Sequence, residues 1–188
     1  MGYRYTKEQI LEGALSAALE DGVSRLTFGR LAKQLGISDR VIVYYFPSKD
    51  DLVSEVLTAL GSELQRALAP IFVRKASDHV QMLRTAWPVV ARDELDRTFA
   101  LFFEASGLAA SGSEPYRTLV PRLVEGWIDW AASLIDGTAS YRRREGATTI
   151  AVLDGLLLLR QLAGPDPANL AAKALMTRRP SAQGVDRV

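Results

Sequence analysis

The residues that could do chemistry in this chain are basic side chains gathered near the N-terminus. Between Gly22 and Lys49 the sequence holds five basic residues and a single acid, which are Arg25, Arg30, Lys33, Arg40, Lys49 and Asp39. This segment therefore carries a net charge of +4, whereas the whole chain of 188 residues carries only +1. A local basic patch attracts phosphate groups, so the sequence predicts a restricted nucleic-acid contact rather than a basic coat over the whole molecule.

Other kinds of chemistry have few candidate residues. The chain has no cysteine and one histidine, His79, which excludes thiol catalysis, disulfide scaffolds and metal sites built from several histidines. No glycine-rich strand-to-helix loop is present, and no nucleophile has an evident base. We predict that the protein is not an enzyme and needs no cofactor, although an isolated pair of catalytic carboxylates stays open.

The N-terminal residues 1–10 carry no apolar signal core, and no uninterrupted apolar run approaches the length of a membrane span. The apolar run from Leu156 to Leu159 is far too short for that role. We therefore expect a soluble, cytoplasmic protein without membrane contact.

The elements that would position the basic residues are helices, because apolar residues recur at spacings of three and four and strand alternation is almost absent. Capping residues mark the first four helices. The first begins at Thr6 and ends at Gly22, the second runs from Thr27 to Gly36, the third from Ser38 to Phe46, and the fourth from about Lys49 to Leu68.

Larger and more apolar helices follow Pro70. We predict them at about 77–91, 93–109, 115–136, 140–163 and 167–177, the first of them interrupted or kinked by Pro88. The clearest breaks are 110–113 and 164–167, and the polar residues 178–188 are predicted to be a disordered tail.

Two short helices joined by Gly36-Ile37-Ser38 predict a helix-turn-helix, in which the second helix enters the DNA major groove. The alternative is three small helices that pack on one another and leave their charges in water. The local charge of +4 favours the DNA-binding interpretation.

The same segment resembles the TetR family of transcriptional regulators. The resemblance rests on LTFGRLAKQLGIS at 26–38 and VYYFPSKDDL at 43–52, and it covers roughly residues 6–55. The rest of the chain is similar to the family only in its helical architecture, with a weaker echo at 154–156. The resemblance implies a dimer that binds an operator in double-stranded DNA and is usually released by a small molecule.

Six residues are candidates for the DNA contact. Thr27 caps the second helix and its hydroxyl can face a phosphate, Arg40 can reach guanine from the start of the recognition helix, and Lys49 adds charge at the start of the fourth helix. Tyr44 and Tyr45 offer hydroxyl groups, although one of the two is expected to be partly in the core because adjacent helical residues point about 100° apart. For each residue the alternative is a solvated or packed side chain.

The sequence departs from the family pattern at the sixth candidate, Val43, where the family commonly has a tyrosine. Tyr45 also replaces the usual histidine, and Gly29 stands where a longer base-reading side chain can occur. Val43 is better interpreted as a contact to a thymine methyl group or as simple packing. Base preference is therefore not transferred from the family.

The second part of the chain is rich in aromatic residues. Trp87, Phe102, Phe103 and Trp127 are predicted to line an apolar ligand pocket between helices, with an ordinary helical core as the alternative. Because few polar residues accompany them, the effector is expected to be mainly apolar. Glu104 and His79 could orient a ligand, but local or solvent contacts are the simpler expectation for both.

The long helix near 140–163 is too apolar to leave a face in water, which predicts a dimer interface that includes Leu156 and Leu159. Gly146 and Gly155 would let a partner helix approach closely, and the alternative is a core helix of a monomer.

The fold class is thus all-α. A three-helix helix-turn-helix DNA-binding domain (1–50) precedes a helical ligand-binding and dimerisation domain (51–177). We predict a DNA-binding transcriptional regulator that acts as a repressor. The competing interpretation is a helical adaptor for other proteins, which would leave the basic helix-turn-helix unexplained.

Overall fold

The computed structural model describes residues 5–177, which form nine α-helices and two single-turn 3-10 helices. The α-helices are α1 (Lys7–Asp21), α2 (Phe28–Leu35), α3 (Asp39–Tyr45), α4 (Lys49–Leu68), α5 (His79–Val90), α6 (Asp96–Ala110), α7 (Tyr116–Ser133), α8 (Ala139–Ala163) and α9 (Pro165–Thr177). The 3-10 turns are Ala69–Ile71 and Asp93–Leu95. The all-α prediction is confirmed, and the tail predicted at 178–188 lies outside the described residues.

The boundaries of the first helices follow from their caps. Thr6 and Gln9 form a reciprocal capping box at the start of α1, and Ser48 and Asp51 form another at the start of α4. Gly36 ends α2 in the left-handed conformation, at φ 66°, which favours glycine. All four predicted N-terminal helices are therefore confirmed within a residue or two.

The later boundaries differ from the prediction in several places, including the end of α7 at Ser133 rather than at about 136. Pro88 lies inside α5 without ending it, because it falls in the last turn. A 3-10 turn at Asp93–Leu95 precedes α6, and the predicted helix at 93–109 merged the two elements. Helix α9 begins at Pro165 rather than at 167, since proline is well suited to a first helical position and Gly164 alone makes the turn.

The main hydrophobic core joins the N-terminal helices to the rest of the chain. It contains Ile10 of α1, Leu31 of α2 and Ile42 of α3, together with residues of α4, α6 and α7 such as Leu52 and Leu101. Helix α4 continues from this core to a second one, where its Leu68 packs near α5, α6, α8 and α9. Packing is thus continuous across the predicted boundary at residue 50.

Helices α7 and α8 approach each other closely at Gly146. A Cβ atom there would lie 2.9 Å from both the backbone nitrogen of Ala132 and the carbonyl oxygen of Ile128. Gly146 therefore serves packing inside the protomer. Gly155 lies nine residues further along α8, on the opposite side of the helix, where a Cβ atom would have no neighbour within 4 Å.

Helix α8 is long and apolar enough to pass a length-and-composition test for a membrane span, with a mean hydropathy of 1.3 over its most apolar window. The sequence prediction concerned uninterrupted apolar runs, whereas this test allows up to two charged residues within the window. Core helices of soluble proteins pass the same test, so this single helix is weak support for a membrane role.

Candidate nucleic-acid interface and ligand cavity

Helices α2 and α3 form the predicted helix-turn-helix. The backbone N–H of Ile37, in the turn, donates to the carbonyl oxygen of Ala32. The buried side chains of Leu31 and Ile42 hold the two helices against α1 and α4. Because these apolar residues face inward, the opposite face of α3 is left in solvent.

That exposed face of α3 carries three of the predicted DNA contacts. Arg40, Val43 and Tyr44 are all exposed, and Tyr44 retains 67 % of its accessible surface. Within the described part of the chain Arg40 forms no ion pair. The three side chains stand at positions i, i+3 and i+4, which places them on one helix face.

Tyr45 lies on the inner side of α3. It is half-buried against the core, and its hydroxyl donates to the carbonyl oxygen of Tyr5 at 3.2 Å. Tyr45 is therefore the partly packed member of the tyrosine pair, and it meets Tyr44 edge-to-face with ring centroids 5.0 Å apart. This position favours a packing role for Tyr45 over a contact to phosphate.

Thr27 and Lys49 are exposed residues at the starts of α2 and α4. The Thr27 side chain accepts a hydrogen bond from the backbone N–H of Arg30 at 3.3 Å, so the threonine caps α2 as predicted. Its hydroxyl hydrogen is still able to reach a phosphate. Lys49 is exposed, and its Nζ donates to the carbonyl oxygen of Ser24 at 3.4 Å.

The remaining basic residues of the segment behave differently from one another. Arg30 pairs with Asp21 at 3.0 Å, which neutralises part of its charge. Arg25 and Lys33 are exposed and form no ion pair among residues 5–177. The positive field predicted from the sequence is therefore carried mostly by Arg25, Lys33, Arg40 and Lys49.

A cavity of about 90 Å³ lies between α4, α5, α6, α7 and α8. Its walls are almost entirely apolar, and Phe102 and Trp127 line it as predicted. The aromatic lining also includes Phe72, Phe99 and Trp130. The rings of Trp127 and Trp130 meet edge to face, with their centroids 5.3 Å apart.

Two of the predicted lining residues lie elsewhere. Trp87 is buried in the second core, where its indole N–H donates to the side-chain oxygen of Asn169 in α9 at 3.0 Å. Phe103 packs against that core and is not among the residues lining the cavity. Trp87 thus ties α5 to α9, a role that aromatic content alone does not indicate.

Asp154 is the lining residue that sequence reasoning missed. It lies on the cavity side of α8 with Ile150, Leu153 and Leu157, and burial raises its pKa from 3.8 to about 6. A signal for it was present, since the helical period of those three apolar residues places Asp154 within their stripe.

Glu104 joins the second part of the chain to the first. From α6, its carboxylate accepts hydrogen bonds from the backbone N–H groups of Val23, at 2.9 Å, and Ser24, at 3.0 Å, and from the Ser24 hydroxyl. These residues form the loop between α1 and α2. Glu104 is therefore satisfied by hydrogen bonds, but not by local partners as expected, because Ser24 lies 80 residues away in the sequence.

His79 is also satisfied by the protein. Its Nδ1 lies 2.5 Å from the carboxylate of Glu145, a buried residue of α8. Burial raises the pKa of Glu145, but the hydrogen bonds from His79 and Arg144 together outweigh burial, so the pKa lies below its ordinary value. The pair fastens the start of α5 to α8 and lies outside the set of residues that line the cavity.

The predicted interface residue Leu156 is inside the protomer, where it keeps only 4 % of its surface and packs in the second core. Leu159 is half-buried against the same core. The exposed surface of α8 includes instead a stripe of small and apolar residues at helical spacing, Ala151, Gly155, Leu158 and Leu162. The sequence prediction assigned Leu156 to the wrong face of α8, because a run of four apolar residues does not show which side of the helix faces the core.

Sequence and structure comparisons bear on this arrangement. Residues 10–56 match the family model for bacterial regulatory proteins, tetR family, and these residues include all of α2 and α3. Residues 10–56 are therefore similar to the N-terminal domain of that family. The match is to a family of bacterial regulatory proteins, and it agrees with the prediction that the chain is not an enzyme.

Solved structures share the TetR-family fold over nearly the whole chain. A TetR transcriptional regulator from Legionella pneumophila is 19 % identical with a TM-score of 0.69, covering 94 % of this chain and 97 % of its own. A transcriptional regulator from Rhodococcus sp. Rha1 is 19 % identical with a TM-score of 0.71, over 92 % and 94 % of the two chains. The multidrug binding protein EbrR, complexed with proflavin, is 21 % identical with a TM-score of 0.66, over 90 % and 96 %.

No curated protein sequence is significantly similar to the chain. At these identities the solved structures establish the fold alone.

Proposed function

We propose that the protein is a cytoplasmic transcriptional regulator that binds a palindromic operator as a homodimer and is released from it by a small molecule. The observation that carries the proposal is the exposed face of α3, where Arg40, Val43 and Tyr44 lie together in a segment that matches the tetR family model. Release by the ligand would make the protein a repressor.

The contacts divide into two kinds. Arg40 has a fork of donors suited to guanine O6 and N7, and Val43 offers methyl groups to a thymine methyl. Lys49 and the cap of Thr27 sit at helix starts, where positive charge and N–H groups suit phosphate oxygens. Arg40 would therefore specify sequence and Lys49 would position the domain.

The cavity supports a ligand, because aromatic residues surround an open space between helices in the second part of the chain. Helix α6 contributes Phe99 and Phe102 to that cavity, and two residues further on it holds the α1–α2 loop through Glu104. A ligand that displaces α6 would therefore act on the start of α2. Linkage requires that operator and ligand then weaken each other's binding equally.

The open faces of α8 and α9 support a dimer. Leu158 and Leu162 of α8 and Leu170 of α9 are exposed, the last two at 78 % and 72 %. Two copies of this helix pair would form a four-helix interface around a two-fold axis. The alternative of an adaptor without DNA binding would use the same apolar face for another protein.

The proposal is tested by salt-series binding curves on an operator, obtained by selection from random DNA, and on scrambled DNA. Arg40→Ala should cost about 1–3 kcal/mol on the operator and relax preference at one position in each half-site. Lys49→Ala should weaken both DNAs similarly and lower the salt slope by about 1 for each lost contact. In a dimer each substitution occurs twice, so the totals are larger.

Arg122→Ala is the matched control, since Arg122 is an exposed arginine of α7, away from the helix-turn-helix. It should leave both affinities unchanged. Failure to select any sequence from random DNA would favour the adaptor. An equal loss on operator and scrambled DNA for Arg40→Ala would make Arg40 a phosphate contact only.

A further inference from the structure

The cavity contains an unexplained charge. Among the residues that line it, all within the described part of the chain, Asp154 is the one that can ionise. The lining includes neither lysine nor arginine nor histidine, although it draws on five α-helices and on Phe72. The other polar groups of the lining are the hydroxyls of Thr98 and Thr149 and the indole N–H groups of Trp127 and Trp130.

No protein group offsets the charge of Asp154. Within residues 5–177 its carboxylate has no hydrogen-bond or ion-pair partner, and burial is the sole cause of its raised pKa. Thr149 does not help, because its hydroxyl donates to the carbonyl oxygen of Glu145 in its own helix at 2.8 Å. An ionised carboxylate without a partner is costly in apolar surroundings.

We infer that the effector is a cationic compound with an aromatic or aliphatic body, and that Asp154 is its counter-ion in the cavity. This inference rests on the proposed function, because a ligand of the cavity is an effector only if it regulates operator binding. A cation would balance the carboxylate, while aromatic faces such as those of Trp127 and Trp130 attract positive charge and pack against an apolar body. The mainly apolar ligand expected from the sequence thereby gains a positive group.

The chemistry also restricts which ligands fit. An anion would be repelled by Asp154 at neutral pH, since no cation in the lining offsets it. A neutral hydrocarbon could enter only by leaving the carboxylate unbalanced or protonated. Cations are therefore preferred over neutral molecules of the same shape, and this preference should decline as Asp154 is protonated.

The test uses phenyltrimethylammonium, a permanent cation, and tert-butylbenzene, its neutral counterpart of nearly the same shape. Binding to the full chain without DNA is followed by tryptophan fluorescence, since Trp127 and Trp130 line the cavity. The wild-type protein should bind the cation more tightly at pH 7.5. Lowering the pH to 5 should weaken cation binding about tenfold, because a carboxyl of pKa about 6 loses most of its charge.

Asp154→Asn should weaken cation binding about tenfold at pH 7.5 and remove its pH dependence, while leaving tert-butylbenzene bound as well or better. Asp136→Asn is the matched control, because it makes the same substitution at an exposed aspartate outside the cavity lining, and it should preserve the cation preference and its pH dependence. Circular dichroism confirms that each variant is folded.

Equal binding of the two compounds by the wild type, no binding of the cation, or cation affinity unchanged in Asp154→Asn would each overturn the inference. These measurements contain no DNA. The cation preference can therefore fail while operator binding stands, and it can hold while operator binding fails.

Discussion

At the scale of single residues, Asp154 has a consequence that needs no ligand. Its carboxyl has a pKa of about 6 in the folded protein and 3.8 as the ordinary value, so the folded state holds the proton more tightly than the unfolded state. An acid with a raised folded pKa destabilises the fold at pH values above that pKa. The cost shrinks as the pH falls from about 6 and is gone below about 3.8.

Asp154→Asn is therefore expected to raise the free energy of unfolding by about 1–3 kcal/mol at pH 7.5, because it removes an unbalanced charge from apolar surroundings. The gain over wild type should narrow as the pH approaches 4. Urea unfolding of both proteins across this range measures it. Asp136→Asn, at an exposed aspartate, should change little at any pH. A stability loss at pH 7.5 would show that Asp154 has a favourable partner.

How far single residues could be predicted from the sequence depended on whether their surroundings are local. The cap formed by Thr27 and the exposed charge of Arg40 were predictable, because both depend on residues nearby in the sequence. In the structure Thr27 caps α2 and Arg40 is exposed. Trp87 and Asp154 depend on which distant helix packs against them. Trp87 finds Asn169, 82 residues away, and nothing in its own helix points to that contact.

At the scale of elements, the hydrogen bonds that join α6 to the α1–α2 loop all depend on one side chain, that of Glu104. Glu104 holds two backbone N–H groups of that loop, and the loop directly precedes the cap of α2. Helices were predictable here because caps and apolar period are local signals. The joining of α6 to the loop was not, since a single glutamate beside two phenylalanines carries no sign of a partner 80 residues away.

Glu104→Gln is expected to loosen this joint and to lower stability by about 1–3 kcal/mol, because hydrogen bonds to a charged acceptor are replaced by weaker ones. Hydrogen exchange should accelerate in residues 22–26 and stay slow in α4. Operator affinity should fall, since the start of α2 is less well fixed. Glu94→Gln, at an exposed glutamate of the 3-10 turn, is the control without these effects. Unchanged exchange at 22–26 would show that the carboxylate does not hold the loop.

At the scale of the whole molecule, α8 and α9 each leave a row of small and apolar residues exposed. Ala151, Gly155, Leu158 and Leu162 form one exposed stripe on α8, at spacings of four, three and four. On α9, Pro167, Leu170 and Ala174 form a second exposed row. The sequence predicted the segment but not the face, because nearly every side of α8 is apolar and only the packing inside the protomer shows which side is left over.

Replacing Leu158 and Leu162 together with glutamate should give a folded monomer, because both side chains are exposed in the protomer and each charge would be buried in the dimer. Sedimentation should show half the wild-type mass with unchanged helical content. Leu156→Glu is the contrasting variant, since that residue is buried in the core and its substitution should unfold the chain. A dimer of wild-type mass after the double substitution would contradict the proposed interface.

The same monomer should change how DNA is recognised. In a dimer, two α3 helices related by the two-fold axis meet half-sites at a fixed separation, so inserting about five base pairs between half-sites turns one of them away and weakens binding. The Leu158→Glu, Leu162→Glu variant should bind a single half-site weakly and be indifferent to that insertion, because its α3 surface is intact but no longer paired. Gel shifts on normal and lengthened operators measure this. Continued sensitivity to the insertion would mean that DNA itself assembles the pair through another face.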